Sequence, residues 1–248
     1  MDDWQRIRQG RSFGAVAEAY DRARPSYPDG AVRFMVGGAP RRVLDLGAGT
    51  GALTRLLLAA GHVVVAVDPL LPMLRHLRQR SSSPRLQSLA GTAEQIPLRR
   101  AVVDSITIGQ AFHWFDDERA VPELARVLRS GGVLSMVWNL RDESVPWVRR
   151  LGAIIGSDNA RPDPSGRLGL DRQFGPVQWQ RFRLYQSVNR GQLLDLVRSR
   201  SHIAVLDDAD RRDVLARVGE LYDEQRGDVL GLQLPYVTHC LRAVRIED

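Results

Sequence analysis

Three glycines, at positions 47, 49 and 51, follow the short apolar run Val43–Leu46. An apolar run of this length predicts a buried strand, and glycines allow the backbone after it to lie directly against a ligand. No helix breaker occurs between Ala52 and Ala60, so we expect the turn to open into a helix. A strand, a glycine turn and a helix in this order indicate a nucleotide-type βα unit.

A second predicted strand, Val63–Val67, ends at Asp68. A carboxylate at that place can accept hydrogen bonds from both hydroxyls of a ribose. Such a site fits two cofactors, NAD and S-adenosyl-L-methionine. The glycine turn does not separate them, because Gly47, Gly49 and Ala52 also satisfy the dinucleotide fingerprint.

Asp45 shifts the balance toward S-adenosyl-L-methionine. It lies inside a buried strand, where a carboxylate is costly unless it meets a positive or donor-rich group. The ammonium group of a bound amino acid would be such a partner, whereas a dinucleotide has no matching cation. Ala93 and Glu94 follow the third strand, where an amide and a carboxylate could read the amino group of adenine.

The elements that position these residues alternate between strands and helices. We predict strands at 42–46, 63–67, 86–90, 102–108 and 133–138, the last of them entered through a turn at Ser130-Gly131-Gly132. Beyond residue 142 we expect helices near 145–155, 192–200 and 208–226 and strands near 177–188 and 234–246. This pattern predicts an α/β, Rossmann-like, doubly wound sheet of seven mainly parallel strands, with helices on both faces and an antiparallel last strand.

The length of 248 residues suits one large domain. We expect a helical N-terminal cap at 1–36, in which Phe13, Val16, Ala19 and Tyr20 repeat at helical spacing. A cofactor-binding core at 37–142 follows. Residues 143–248 then supply substrate-cap helices and the last two strands.

Taken together, these motifs resemble the class I S-adenosyl-L-methionine-dependent methyltransferases in order and spacing. The set comprises Asp45-x-Gly-x-Gly-x-Gly51, Asp68, Thr92-Ala93-Glu94-Gln95-Ile96-Pro97 and Leu128-Arg129-Ser130-Gly131-Gly132. The resemblance implies S-adenosyl-L-methionine as cofactor and S-adenosyl-L-homocysteine as product. It also implies a cofactor site that includes Asp45, Gly47, Ala48, Gly49, Gly51, Asp68, Pro69, Ala93 and Glu94.

A finer resemblance is to the methyltransferase type 11 group, which includes trans-aconitate methyltransferase-like enzymes. It is carried by Phe13-Gly14 through Tyr20, Arg24-Pro25-x-Tyr27-Pro28 and Ala111-Phe112-His113-Trp114-Phe115. By this similarity Tyr20, Arg24 and Tyr27 line or cover the methionine end of the cofactor. Gln110 and His113 lie beside the sulfonium.

Methyl transfer from a sulfonium is an in-line displacement that needs positioning and desolvation, and no metal or covalent nucleophile. A carboxylate acceptor needs no base, whereas a hydroxyl or amine would use one. His113 is then the best-placed candidate, and the alternative is that it only packs or orients its turn. Further candidate substrate contacts are Tyr27, Trp114, Asn139 and Arg141.

Several of these residues have a structural alternative. Arg24 and Arg141 could clamp an anionic substrate by paired hydrogen bonds, or they could be solvated surface groups. Trp114 and Trp138 could line a pocket or fill the core, and core is the safer interpretation of Trp138. Asp104, near the start of the fourth strand, is interpreted as a structural polar residue.

The composition argues against a nucleic-acid partner. The net charge is +6, and all 35 basic residues are arginine, but they are interleaved with 29 acids. The turn at 110–113 also lacks the Asn/Asp-Pro-Pro-aromatic pattern of amino-directed nucleic-acid methyltransferases. An RNA methyltransferase, an NAD-linked oxidoreductase and a noncatalytic cofactor-binding relative nevertheless stay open as alternatives to a methyltransferase that acts on a small molecule.

A single cysteine, Cys240, fits a reducing compartment and excludes an intrachain disulfide. The N-terminus does not resemble a signal peptide, and no apolar stretch has the length of a membrane span. We therefore expect a cytoplasmic protein without a membrane span. We expect it to be a monomer or a homodimer.

Overall fold

A seven-stranded sheet forms the centre of the structure, a computed structural model that describes residues 24–157, 173–226 and 231–246. The strands are β1 (Arg42–Leu46), β2 (Val63–Asp68), β3 (Leu86–Ala90), β4 (Val103–Gly109), β5 (Leu128–Arg141), β6 (Gln178–Val188) and β7 (Leu232–Val244). The helices are α1 (Asp29–Val36), α2 (Ala52–Ala59), α3 (Leu71–Arg80), α4 (Asp117–Val127), α5 (Pro146–Ile155), α6 (Arg190–Arg198), α7 (Ser201–Ala204) and α8 (Asp208–Arg226).

The strands are ordered β3-β2-β1-β4-β5-β7-β6, and the pairs from β3 to β5 are parallel. The last strands are antiparallel. This order reverses direction between β1 and β4, which makes the sheet doubly wound and places ligands at the carboxyl ends of the strands there. The predicted fold class is therefore confirmed.

The sequence-based prediction was wrong at Ser130-Gly131-Gly132, which lies inside β5 and is not a turn before it. Gly131 donates its N–H to the carbonyl of Arg245, and the N–H of Arg245 donates to the carbonyl of Gly132. Pairing with the end of the chain thus extends the strand through both glycines. The partner lies more than a hundred residues away in the sequence, where local turn chemistry cannot reveal it.

The described residues divide into two compact units. The glycine-turn unit comprises 26–139, 173–182 and 238–246, and the helical unit comprises 24–25, 140–157, 183–226 and 231–237. The single-domain interpretation, with boundaries after residues 36 and 142, stays a prediction. Phe13, Val16, Ala19 and Tyr20 of the predicted N-terminal cap lie outside the described residues.

Each unit has its own apolar core. In the glycine-turn unit, α1 and α2 cover the sheet with buried side chains that include Met35, Leu53 and Leu57. In the helical unit, α5, α6 and α8 pack around Val148, Leu193, Leu196, Val218 and Leu221. Each unit thus buries enough apolar surface to hold its helices in place.

Candidate functional site

The glycine turn between β1 and α2 contains three left-handed residues, with φ of 70° at Gly47, 55° at Gly49 and 87° at Gly51. A Cβ atom at Gly47 would lie 2.5 Å from Cβ of Ala111, and one at Gly51 would lie 2.1 Å from Cδ1 of Leu77. A Cβ at Gly49 would meet nothing within 4 Å. Gly47 and Gly51 thus allow close packing inside the protein, whereas Gly49 faces open space in which a ligand can contact the backbone.

Asp68 connects the end of β2 to this turn. One carboxylate oxygen accepts the N–H of Gly49 at 2.8 Å, and the other accepts the N–H of Leu70 at 2.8 Å. Burial raises the pKa of Asp68 above its usual value, and the two N–H groups oppose that increase. Each oxygen has a second lone pair, so the carboxylate can accept further hydroxyl donors. Pro69, the next residue, is exposed.

Asp45 is buried in β1 between two threonine hydroxyls that sequence reasoning missed. Oγ1 of Thr54 donates to one carboxylate oxygen at 2.5 Å, and Oγ1 of Thr107 donates to the other at 3.4 Å. Thr107 is the register partner of Asp45 on β4, and Thr54 lies in the first turn of α2. The signal available in the sequence was a threonine inside the apolar β4 run. Donors for Asp45 are therefore present in the protein itself.

Asp45 should make the stability of the protein depend on pH. Burial raises its pKa from 3.8 to about 6 in the folded protein. The folded state then binds the proton more tightly than the unfolded chain. The free energy of unfolding is therefore expected to fall by about 3 kcal/mol as pH rises from about 4 through about 6.

The measurement is urea unfolding of the wild type and of Asp45→Asn at several pH values. The difference between their free energies of unfolding is then plotted against pH. The variant lacks the titrating group, so its stability relative to wild type should increase across this interval. Parallel curves would show that Asp45 does not titrate there.

The residues after β3 lie close to α4. Ala93 is buried, and Oε1 of Glu94 accepts the N–H of Asp116 at 2.9 Å. One oxygen of Glu94 thus holds the start of α4. Contact between this pair and adenine stays a prediction, for which Glu94 would use its remaining acceptor capacity.

The turn after β4 carries Gln110, His113 and Trp114. Gln110 has a φ of 55°, an unusual conformation for a residue with a side chain, and its N–H donates to the carbonyl of Val137 at 3.0 Å. Phe112–Trp114 form one 3₁₀ turn in which Phe112 is buried. His113 is exposed, and its ring lies 4.7 Å from that of Trp114, between centroids. His113 is therefore accessible to a substrate.

Tyr27 and Asn139 are held at the same edge of the glycine-turn unit. Tyr27 is buried, and a Cβ at Gly109, the last residue of β4, would lie 2.9 Å from its hydroxyl oxygen. Nδ2 of Asn139 donates to the carbonyl of Ser26, and its Oδ1 accepts from Thr238. The amide predicted to contact substrate thus forms hydrogen bonds inside the protein.

The two predicted clamp residues, Arg24 and Arg141, lie in the helical unit. Nη2 of Arg24 donates to the carbonyl of Ser199 at 3.5 Å. Arg141 is buried, its Nη2 donates to the carbonyl of Gly156 at 2.8 Å, and the same atom lies 3.7 Å from Oε1 of Glu143. Gly156 ends α5, so Arg141 places a cation where the helix dipole is negative. This arrangement gives Arg141 a structural role that the sequence did not suggest.

Two structural expectations from the sequence are confirmed. Trp138 is buried in the core. Asp104 accepts the N–H of Arg42 at 2.8 Å and pairs with Arg129, which makes it a structural acid at the start of β4. Within the three described ranges, no group of three or more His, Cys, Asp or Glu residues could hold a metal ion. No helix among them is both long enough and apolar enough to span a membrane.

The geometry fits an adenosine cofactor that carries an amino acid. Open space lies at Gly49, and Asp68 at the adjacent strand end can accept ribose hydroxyls. Contact between Asp45 and an ammonium group stays a prediction, because Thr54 and Thr107 already donate to its carboxylate. Together with the doubly wound sheet, these features define a class I methyltransferase that uses S-adenosyl-L-methionine.

Comparisons with known proteins agree. A family model described as methyltransferase domain matches residues 44–136. An uncharacterized methyltransferase of Mycobacterium tuberculosis strain H37Rv is 47% identical over 235 residues, which cover 94% of this chain and 95% of the relative. The chain belongs to the methyltransferase family. The cofactor is therefore S-adenosyl-L-methionine and not NAD.

Two further matches bear on fold and chemistry. A solved structure named as a type II methyltransferase of Anaeromyxobacter dehalogenans has 27% identity and a TM-score of 0.65, covering 90% of this chain and 96% of that one. A malonyl-[acyl-carrier protein] O-methyltransferase of Methylococcus capsulatus is 38% identical over 135 residues. That alignment covers 51% of this chain and 49% of the relative.

Proposed function

We propose that the protein transfers a methyl group to an oxygen of a small-molecule acceptor, a carboxylate or a hydroxyl. The observation that carries this proposal is the make-up of the turn after β4. Among residues 110–115, His113 is the one side chain that can take up a proton near neutral pH, and it is exposed. An ionised carboxylate reacts without a base, and a hydroxyl could use His113.

The partial relative from Methylococcus capsulatus supports an oxygen acceptor, because its name describes an O-methyltransferase. The match covers about half of this chain, so it supports the class of reaction and leaves the acceptor to be determined. We further propose that the protein acts in the cytoplasm as a monomer or homodimer, and that nucleic acid is not its substrate.

The cofactor residues have distinct proposed roles. The backbone at Gly47–Gly51 contacts the cofactor, and Asp68 accepts hydrogen bonds from the ribose hydroxyls. Ala48 and Pro69 border these contacts, Ala93 and Glu94 lie at the adenine end, and Asp45 faces the ammonium group. Tyr27 covers the methionine end, with Gln110 beside it. Arg24 remains a proposed cofactor contact, as does Tyr20, which lies outside the described residues. Trp114, Asn139 and Arg141 remain proposed substrate contacts.

When bound, the cofactor would supply a methyl group on a positively charged sulfur, which an acceptor oxygen would displace in line. A hydroxyl acceptor also loses its proton, which His113 can take, whereas a carboxylate acceptor has none to lose. The protein's contribution is to align the acceptor oxygen with the breaking bond and to exclude water.

The test uses cofactor labelled in the methyl group, a fractionated metabolite extract, and identification of the labelled product. We expect an ester or ether product of low molecular mass. His113→Ala and His113→Gln then separate the two acceptors. A hydroxyl acceptor predicts that both variants lose about 10²- to 10⁴-fold in kcat, and a carboxylate acceptor predicts little change.

Other outcomes would contradict the proposal. Label in RNA, with salt-dependent retention of RNA, would identify an RNA methyltransferase. Cofactor binding without turnover across the extract would identify a noncatalytic relative.

A further inference from the structure

Asn139, near the end of β5, is 5% exposed and uses both ends of its side-chain amide. Nδ2 donates to the carbonyl of Ser26 at 2.8 Å, and Oδ1 accepts from Oγ1 of Thr238 at 2.6 Å. A carbonyl can only accept, so the nitrogen must face Ser26 and the oxygen must face Thr238. Thr238 is completely buried in β7, and its hydroxyl donates to the amide oxygen in the orientation that the carbonyl of Ser26 requires.

The main chain of Asn139 makes a third connection. Its carbonyl accepts Nε2 of Gln110 at 3.2 Å, and the N–H of Gln110 donates to the carbonyl of Val137 at 3.0 Å. A left-handed backbone at a residue other than glycine persists only where its surroundings hold it. Two bonds to the end of β5 therefore stabilise the conformation of Gln110.

This network borders the glycine turn. Ala111, the residue after Gln110, lies so close to Gly47 that a Cβ there would be 2.5 Å away. Tyr27, the residue after Ser26, places its hydroxyl over Gly109. The groups that Asn139 holds are thus next to residues that pack against Gly47 of the glycine turn and against Gly109 at the end of β4.

We propose that Asn139 and Thr238 are positioning residues for the cofactor site. The hydroxyl of Thr238 holds the side-chain amide of Asn139. That amide holds the carbonyl of Ser26, next to Tyr27, and the main-chain carbonyl of Asn139 holds Gln110. This role does not require the predicted contact between Asn139 and substrate. It rests on the proposed cofactor contacts of Tyr27 and Gln110 and is independent of the acceptor.

The test compares Thr238→Val, which removes the hydroxyl but keeps the shape, with Thr238→Ser, which keeps the hydroxyl. Binding is measured by calorimetric titration with S-adenosyl-L-homocysteine, which requires no acceptor. We expect Thr238→Val to weaken binding about tenfold, because the lost hydrogen bond loosens the groups that Asn139 holds. Thr238→Ser should bind within about twofold of wild type.

Ser135→Ala is the matched control. Ser135 lies on β5, the strand of Asn139, and its buried hydroxyl donates to the carbonyl of Met35 at 2.9 Å, away from the network. Its loss should lower the Tm and leave binding unchanged. An equal loss of binding in Ser135→Ala and Thr238→Val would overturn the proposal, because binding would then follow general stability.

Asn139→Ala tests whether Thr238 acts through Asn139. In that background Thr238→Val should weaken binding by less than about twofold, since the group it orients is absent. The proposal would be contradicted if the fold losses of affinity in Asn139→Ala and Thr238→Val multiplied in the double variant. It would also be contradicted if Thr238→Val alone kept wild-type affinity. Thr238→Ala answers the same question should the valine variant not fold. An acceptor other than an oxygen would overturn the proposed function without affecting these binding results.

Discussion

Gly49→Ala is expected to weaken S-adenosyl-L-homocysteine binding by about 10- to 100-fold while the protein stays folded. The new methyl group would meet no protein atom within 4 Å, so it projects into the space assigned to the cofactor. Crowding of a packed contact costs about 1–3 kcal/mol, which corresponds to this change in affinity. The left-handed φ of 55° adds about 1–2 kcal/mol of destabilisation. Calorimetric titration and urea unfolding measure the two effects separately.

Gly131→Ala is the matched control for this variant. Gly131 also has a positive φ, 71°, and open space where its Cβ would lie. It lies near the start of β5, however, whereas Gly49 follows the carboxyl end of β1. It should lose similar stability and keep full affinity. Gly51→Ala should instead lose about 2–5 kcal/mol of stability, because its methyl group would overlap buried Leu77. Equal affinities of Gly49→Ala and Gly131→Ala for S-adenosyl-L-homocysteine would show that the cofactor does not contact Gly49.

Asp68→Ala should lose both stability and cofactor affinity. The N–H groups of Gly49 and Leu70 would lose their acceptor, at about 1–3 kcal/mol for each group that stays buried. The proposed ribose contacts would also be lost. Hydrogen bonds to a charged group contribute about 1.5–3 kcal/mol each, so we expect affinity to fall by at least about 100-fold. Calorimetry with S-adenosyl-L-homocysteine and urea unfolding measure both losses.

Asp104→Ala controls for the loss of a structural acid. Asp104 also accepts a backbone N–H, from Arg42, but at the start of β4. It should therefore lose stability without losing affinity. Asp68→Asn retains one acceptor oxygen and should be intermediate in both measurements. Wild-type affinity in Asp68→Ala would show that the ribose lies elsewhere.

The sequence predicted the strands and the glycine turn well, because both follow from local patterns. The apolar run of β2 is buried from Val64 onward, as expected from its lack of alternation, and β3 has the predicted bounds. The doubly wound, mainly parallel sheet followed from the alternation of strands with helices. Local pattern failed at Gly131 and Gly132, where pairing with a distant strand outweighed the turn preference of the residues.

The roles of individual polar side chains were harder to predict. Asp45 was recognised as a buried acid that needs donors, but Thr54 and Thr107 were not seen as those donors. The substrate contacts of Arg141 and Asn139 stay predictions. The structure adds hydrogen bonds from each residue to protein groups whose position depends on the complete fold. A residue's type and place in the sequence indicate what it can bind, while tertiary contacts decide what it does bind.

The bond between Asn139 and Thr238 also has a consequence for synthesis on the ribosome. Its two residues are 99 positions apart, and the bond from Asn139 to Ser26 spans 113 positions. The glycine turn and the first parallel strands emerge long before residue 238, and domains begin to fold as they emerge. A nascent chain can therefore form the turn early, but the Asn139 amide gains its hydrogen bond from Thr238 only after the last strand has joined the sheet.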